Sequence, residues 1–141
     1  MATVWQDSEL VQQIAEHLIA TQDEFEDDIR IPNPKIKYLE KYTKKSKVLG
    51  KCQKATGPWQ YLTDFSYVIW VWGDWFQEAT AMEREALIHH ELRHIMAEED
   101  EDSGEIKWKI RDHDSESFSS EVSRYKDWRI ELSEIKKAFE E

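Results

Sequence analysis

Disulfides are excluded at the outset, because the chain holds a single cysteine, Cys52. Its stability must therefore come from a packed interior, and a lone thiol fits a reducing compartment. Nowhere does the sequence approach the roughly twenty consecutive apolar residues that a membrane-spanning helix needs. Residues 1–7 lack the basic and apolar segments of a secretory leader. These absences predict a cytoplasmic protein with no membrane partner. Glycine and proline are also scarce, at 4 and 3 residues, and no internal repeat or low-complexity segment is seen. Basic residues are in the minority, and the net charge of −11 argues against direct nucleic-acid binding. A phosphate backbone would be repelled over most of such a surface.

Aromatic residues, by contrast, are plentiful: seven Trp, five Tyr and five Phe in 141 residues. A chain of this length builds one real core, not two, so residues 1–141 are expected to form a single domain. Charge is unevenly spread along it. Residues 35–54 hold eight lysines against one acid, Glu40, a local +7 that leaves −18 for the remainder. Lysines at this density fit the solvated face of a sheet and a guarded sheet edge, and could touch an acidic partner. The acids concentrate at residues 23–28 and 98–102.

Periodicity divides the chain into α and β segments. Leu10, Val11, Ile14, Leu18 and Ile19 form one apolar stripe, predicting an amphipathic helix from Asp7 to about Gln22 with His17 on its surface. Pro32 and Pro34 stop regular structure. Strand character follows at about 35–42, 47–55 and 67–72, with a turn at Gly57-Pro58. The segment Tyr67-Val68-Ile69-Trp70-Val71-Trp72 is the most apolar of the three. It is expected to be covered on both faces or to line a cleft, where it could pair with an extended substrate. Residues 98–104 read as an exposed acidic loop and 106–110 as a short strand. Two further helices are expected, one opening near Asp114 with Phe118, Val122 and Tyr125 on a face, and one carrying Trp128, Leu132, Ile135 and Phe139.

The chemistry lies in His90-Glu91-Leu92-Arg93-His94. By chance an H-E-x-x-H arises in roughly one chain in a few hundred of this length, so local context has to support it. Thr80 and Glu83 make a capping box, and Ala86, Leu87, Leu92 and Ile95 continue at helical spacing to about Ala97. On a helix, residues four apart share a face, so two imidazoles can grip one Zn²⁺ while Glu91 handles the proton of water. A catalytic zinc wants a third protein ligand. His113 is the candidate, with Glu116 and Glu121 as carboxylate competitors and Asp114 as a helix cap or a partner for a ligating imidazole.

Three blocks resemble the phage-type metallopeptidase family: residues 62–69, Ala79-Thr80, and residues 87–95 around the motif. His113-Asp114, Phe118 and Arg124-Tyr125 are similar to that family's distal block, and the pattern looks like SprT/Spartan-type proteases as well. Lys126 stands where the family commonly has glycine. The resemblance covers roughly residues 35–128. It implies an α+β, minimal zincin-like fold with an N-terminal helix, a sheet of three to four strands, the motif helix and a C-terminal ligand-bearing helix. It also implies a zinc metallopeptidase acting on a peptide or protein substrate, with His90, His94 and His113 on the metal and Glu91 as general base. Tyr125 is either a donor to the transition-state oxyanion or a packed aromatic. The competing class is an acidic, non-proteolytic binder that keeps the scaffold and acts on a host factor. An intact Glu91 speaks against it.

Overall fold

The computed structural model describes residues 3–46 and 48–111. Among them the fold is α+β, with a four-stranded mixed sheet, a two-stranded hairpin and four α-helices. Strand β1 (Val4–Asp7) leads into helix α1 (Glu9–Thr21), which opens where the Ser8 side chain accepts the Val11 N–H. A tight helical passage over residues 23–30 then delivers the chain to β2 (Ile36–Tyr42). Strand β3 (Gly50–Lys54), helix α2 (Pro58–Thr63), strand β4 (Tyr67–Trp72) and helix α3 (Gly73–Glu78) follow. Helix α4 (Ala81–Leu92) carries the motif, and strands β5 (Ile95–Glu99) and β6 (Ile106–Ile110) form the hairpin.

The strand order is β1-β2-β4-β3, with β4 parallel to β2 and antiparallel to β3. Tyr67–Trp72 is thus an interior strand. Its backbone groups are paired on both sides, so the expected alignment of a substrate along it is ruled out by the topology. Coverage is what its composition predicts: Tyr67, Ile69 and Val71 are fully buried, and Trp70 and Trp72 nearly so. The free edges belong to β1 and β3, and β3 carries exposed Lys51 and Lys54.

The core lies on one face of the sheet. Val11, Ala15 and Leu18 of α1 and Ala86, Leu87, Ile88 and Leu92 of α4 pack there with Tyr38, Cys52, Ile69 and Val71. Full burial of each large aliphatic side chain contributes about 1.5–3 kcal/mol. Close approach fixes one glycine at the β4–α3 junction: a Cβ on Gly73 would lie 2.5 Å from the Tyr42 ring.

Three local expectations need correction. The motif helix stops at Leu92, not Ala97, because Ile95 and Met96 pair with β6. For the same reason Glu98 and Glu99 belong to a strand, and the acidic loop proper is 100–105. Gly57-Pro58 opens helix α2, where proline stands in the first turn and loses no needed N–H. The helices expected beyond residue 111 lie outside the described residues.

Candidate metal centre

Helix α4 begins with both hydrogen bonds of the capping box in place. The Thr80 Oγ1 accepts the Glu83 N–H, and a Glu83 carboxylate oxygen accepts the Thr80 N–H at 2.8 Å. That fixed start, with Ala86, Leu87, Ile88 and Leu92 turned into the core, sets the rotation of the helix. His90 is left half-buried while Glu91 is enclosed. His94 lies two residues past the last helical residue, yet the i, i+4 relation survives. Arg93 keeps right-handed helical dihedrals, and the His94 N–H donates to the Glu91 carbonyl at 3.2 Å, closing a tighter last turn.

The side chains converge. One ligand atom from each of His90, Glu91 and His94 lies within 4.8 Å of the others. The two imidazole rings sit 5.1 Å apart, edge to face, and His94 Nε2 is 3.9 Å from a Glu91 carboxylate oxygen. Burial is deep for such polar groups, with Glu91 4% and His94 7% exposed.

The outer contacts of His94 fix which ring nitrogen donates. Its Nδ1 lies 2.6 Å from the Arg111 carbonyl oxygen. A carbonyl can only accept, so Nδ1 carries a proton, and in the neutral form of the ring the lone pair is at Nε2, on the side of Glu91 and His90. Metal-ligating histidines are commonly oriented this way. Arg111 is itself fastened. Its N–H donates to the His94 carbonyl at 2.7 Å, one guanidinium nitrogen donates to the Arg93 carbonyl at 3.1 Å, and another pairs with Asp28 at 3.0 Å. The other Asp28 oxygen accepts the Ala97 N–H. From β4, the Tyr67 hydroxyl donates to the Lys109 carbonyl at 2.6 Å and holds the hairpin against the sheet.

Asp28, Tyr67 and Arg111 were not among the candidates drawn from sequence. Asp28 sits inside an acidic run and Arg111 seventeen residues past His94, and neither position carries a local signal. The other histidines fall elsewhere: His17 is exposed on α1, and His89 is fully buried against Phe25, 3.5 Å from Glu24. Cys52 lies in the core on β3. Burial pushes its thiol well up, and the nearby Glu91 charge adds to this, so it is an inert packing residue. His113 and its competitors Glu116 and Glu121, with Asp114 and Tyr125, lie outside the described residues.

The donor set suits a divalent metal of borderline softness: two imidazoles, one with its Nδ1–H engaged, and an adjacent carboxylate. Among the described residues this is the one group of that kind. No helix among them is long and apolar enough to cross a membrane. A family model described as "Putative phage metallopeptidase" matches residues 3–140. No curated protein and no solved structure matches the chain. Since the match takes in nearly every residue, including the whole convergent site, the chain belongs to that family.

Proposed function

We propose, for this member of the phage metallopeptidase family, a zinc-dependent peptidase in which His90 and His94 hold the metal and Glu91 is the general base. The observation that carries this reading is the Nδ1–H of His94 on the Arg111 carbonyl, which turns Nε2 toward His90 and Glu91. A zinc ion supplies Lewis-acid polarisation of the peptide carbonyl and acidifies water. Glu91 takes the proton of the attacking water and returns it to the leaving amine, a role open to a carboxylate beside the ligands. Its near-complete burial keeps it within one small space with both imidazoles.

His113 completes the ligand set in this proposal, ahead of Glu116 and Glu121, and Tyr125 serves as a donor to the developing oxyanion. The substrate is a peptide or protein, as the family's description implies. An acidic, non-proteolytic binder on the same scaffold has no use for a carboxylate held beside two imidazoles.

Glu91→Gln tests the assignment. The variant should keep its zinc and its fold while hydrolysis of unfolded casein falls by about 10²–10⁴-fold. Loss of zinc together with activity would make Glu91 a ligand and not the base. In parallel, His113→Ala should weaken zinc binding strongly and Glu121→Gln should change it little. The reverse result would replace the three-histidine set by two histidines and a carboxylate.

A further inference from the structure

The face of the four-stranded sheet opposite the core carries an unusual pairing of side chains. Strand register places Trp5 opposite Lys41, Leu39 opposite Trp70, Lys51 opposite Trp70, and Lys37 opposite Val68, which is also level with Gln53. These residues alternate with the core positions and therefore share the outer face. A groove of about 600 Å³ runs over it, walled by Trp5, Trp59, Phe65 and Trp70. Trp59 is 71% exposed and Trp5 49%, a large aromatic area to leave in water.

Lysines crowd the same rings. The Lys41 ammonium stands 4.7 Å from the Trp70 centroid and 5.5 Å from that of Trp5, and Lys37 stands 5.7 Å from Phe65. Lys51 and Lys54 are exposed, and Lys54 lines the groove. Asp7, on this face, is engaged by Lys37 at 2.8 Å, and Asp64, between the groove-lining Thr63 and Phe65, by Lys35 at 2.9 Å. Besides Lys37, three lysines of the +7 segment, Lys41, Lys51 and Lys54, thus stand at one aromatic surface of a chain whose remainder is −18.

We propose that this outer face is a docking platform for single-stranded nucleic acid, with bases stacked on Trp59, Phe65 and Trp5 and phosphates met by Lys41, Lys51 and Lys54. The face offers ring faces and ammonium groups, and a single strand supplies planar bases and a regular row of anions in return. An extended peptide would add to a sheet edge, at β1 or β3, and would leave the face over the interior strands β2 and β4 uncovered. Duplex is disfavoured by the charge balance. A rigid rod with a charge every ~1.7 Å of its axis would carry phosphates past the lysines to the acidic remainder, whereas a flexible strand can keep to the groove.

The test is fluorescence anisotropy of labelled oligo-dT of about 20 nucleotides with the zinc-loaded full chain. Saturable binding is expected, falling with salt with a log–log slope of about −2 for three lysine–phosphate contacts. Trp59→Ala should weaken it about tenfold, and Lys51→Gln with Lys54→Gln should flatten the slope. All three positions are exposed, and unchanged circular dichroism would exclude misfolding. His94→Ala should bind as the parent does, which separates this proposal from the peptidase assignment. It is overturned by no binding at low salt, by equal affinity for duplex, by indifference to the Trp59 and lysine changes, or by tighter binding of poly-glutamate than of oligo-dT.

Discussion

On the core side of the sheet, polar chemistry is enclosed and each group is fastened by another; on the outer side, it is exposed and held by little. His94 is oriented by the Arg111 carbonyl, Arg111 by Asp28 and the Arg93 carbonyl, and Asp28 also by the Ala97 N–H. A metal site needs that order, because ligand atoms must meet one ion with small tolerance. Trp59 and Lys54 make no such demands, since a base can stack on any accessible ring and a phosphate can follow a mobile ammonium. The same domain therefore spends its buried hydrogen bonds on precision at one face and leaves the other adaptable. Substitutions on the two sides should differ in kind: those at the core side act through geometry, those outside through local contact alone.

The largest effect expected from a residue that touches no ligand atom is at Asp28. Asp28→Ala removes the partner of Arg111 and of the Ala97 N–H together. Zinc affinity should fall about 10–100-fold, as for other losses of support behind a ligand, measured by competition with a chromogenic chelator. Unchanged affinity would show that the Arg111 carbonyl is held in place without it.

A smaller effect is expected at Glu40, a buried carboxylate on the core face with no part in the chemistry. Burial pushes its pKa up, but hydrogen bonds from Ser8, Tyr42 and Gln77, with the Arg84 charge, outweigh this and leave it below the ordinary carboxylate value. A folded-state pKa lower than the unfolded one stabilises above the unfolded value, and that stability is lost as pH falls through the folded value. Glu40→Gln should cost about 1 kcal/mol at neutral pH and make urea unfolding less sensitive to acid. Equal pH dependence in parent and variant would contradict it.

The smallest is at Trp59. Its exposure limits the change in stability for Trp59→Ala to within about 0.5 kcal/mol, and casein hydrolysis should be unaltered. A marked loss of either would mean that the outer face is coupled to the core side after all.

Legibility in the sequence followed the range of the forces involved. Helix α1, the strands at 36–42, 50–54 and 67–72, the capping box and the convergence of His90, Glu91 and His94 rest on spacing within one segment, and periodicity exposes them. The end of α4 is not legible, because Leu92 and Ile95 satisfy helical spacing while Ile95 also satisfies a strand. Pairing with β6, eleven or more residues away, decides between them. Strand β1 gave no signal, being four exposed residues whose partner lies on β2. The interior position of β4 and the support of His94 by Arg111 and Asp28 likewise depend on contacts between distant segments.

The central claim is that His90 and His94 hold one catalytic metal under the orientation set by Arg111. Zinc per chain, measured by elemental analysis of the parent and of His94→Ala purified side by side, tests it most directly. About one zinc in the parent and essentially none in the variant is the expected result; full zinc retention by His94→Ala would contradict it.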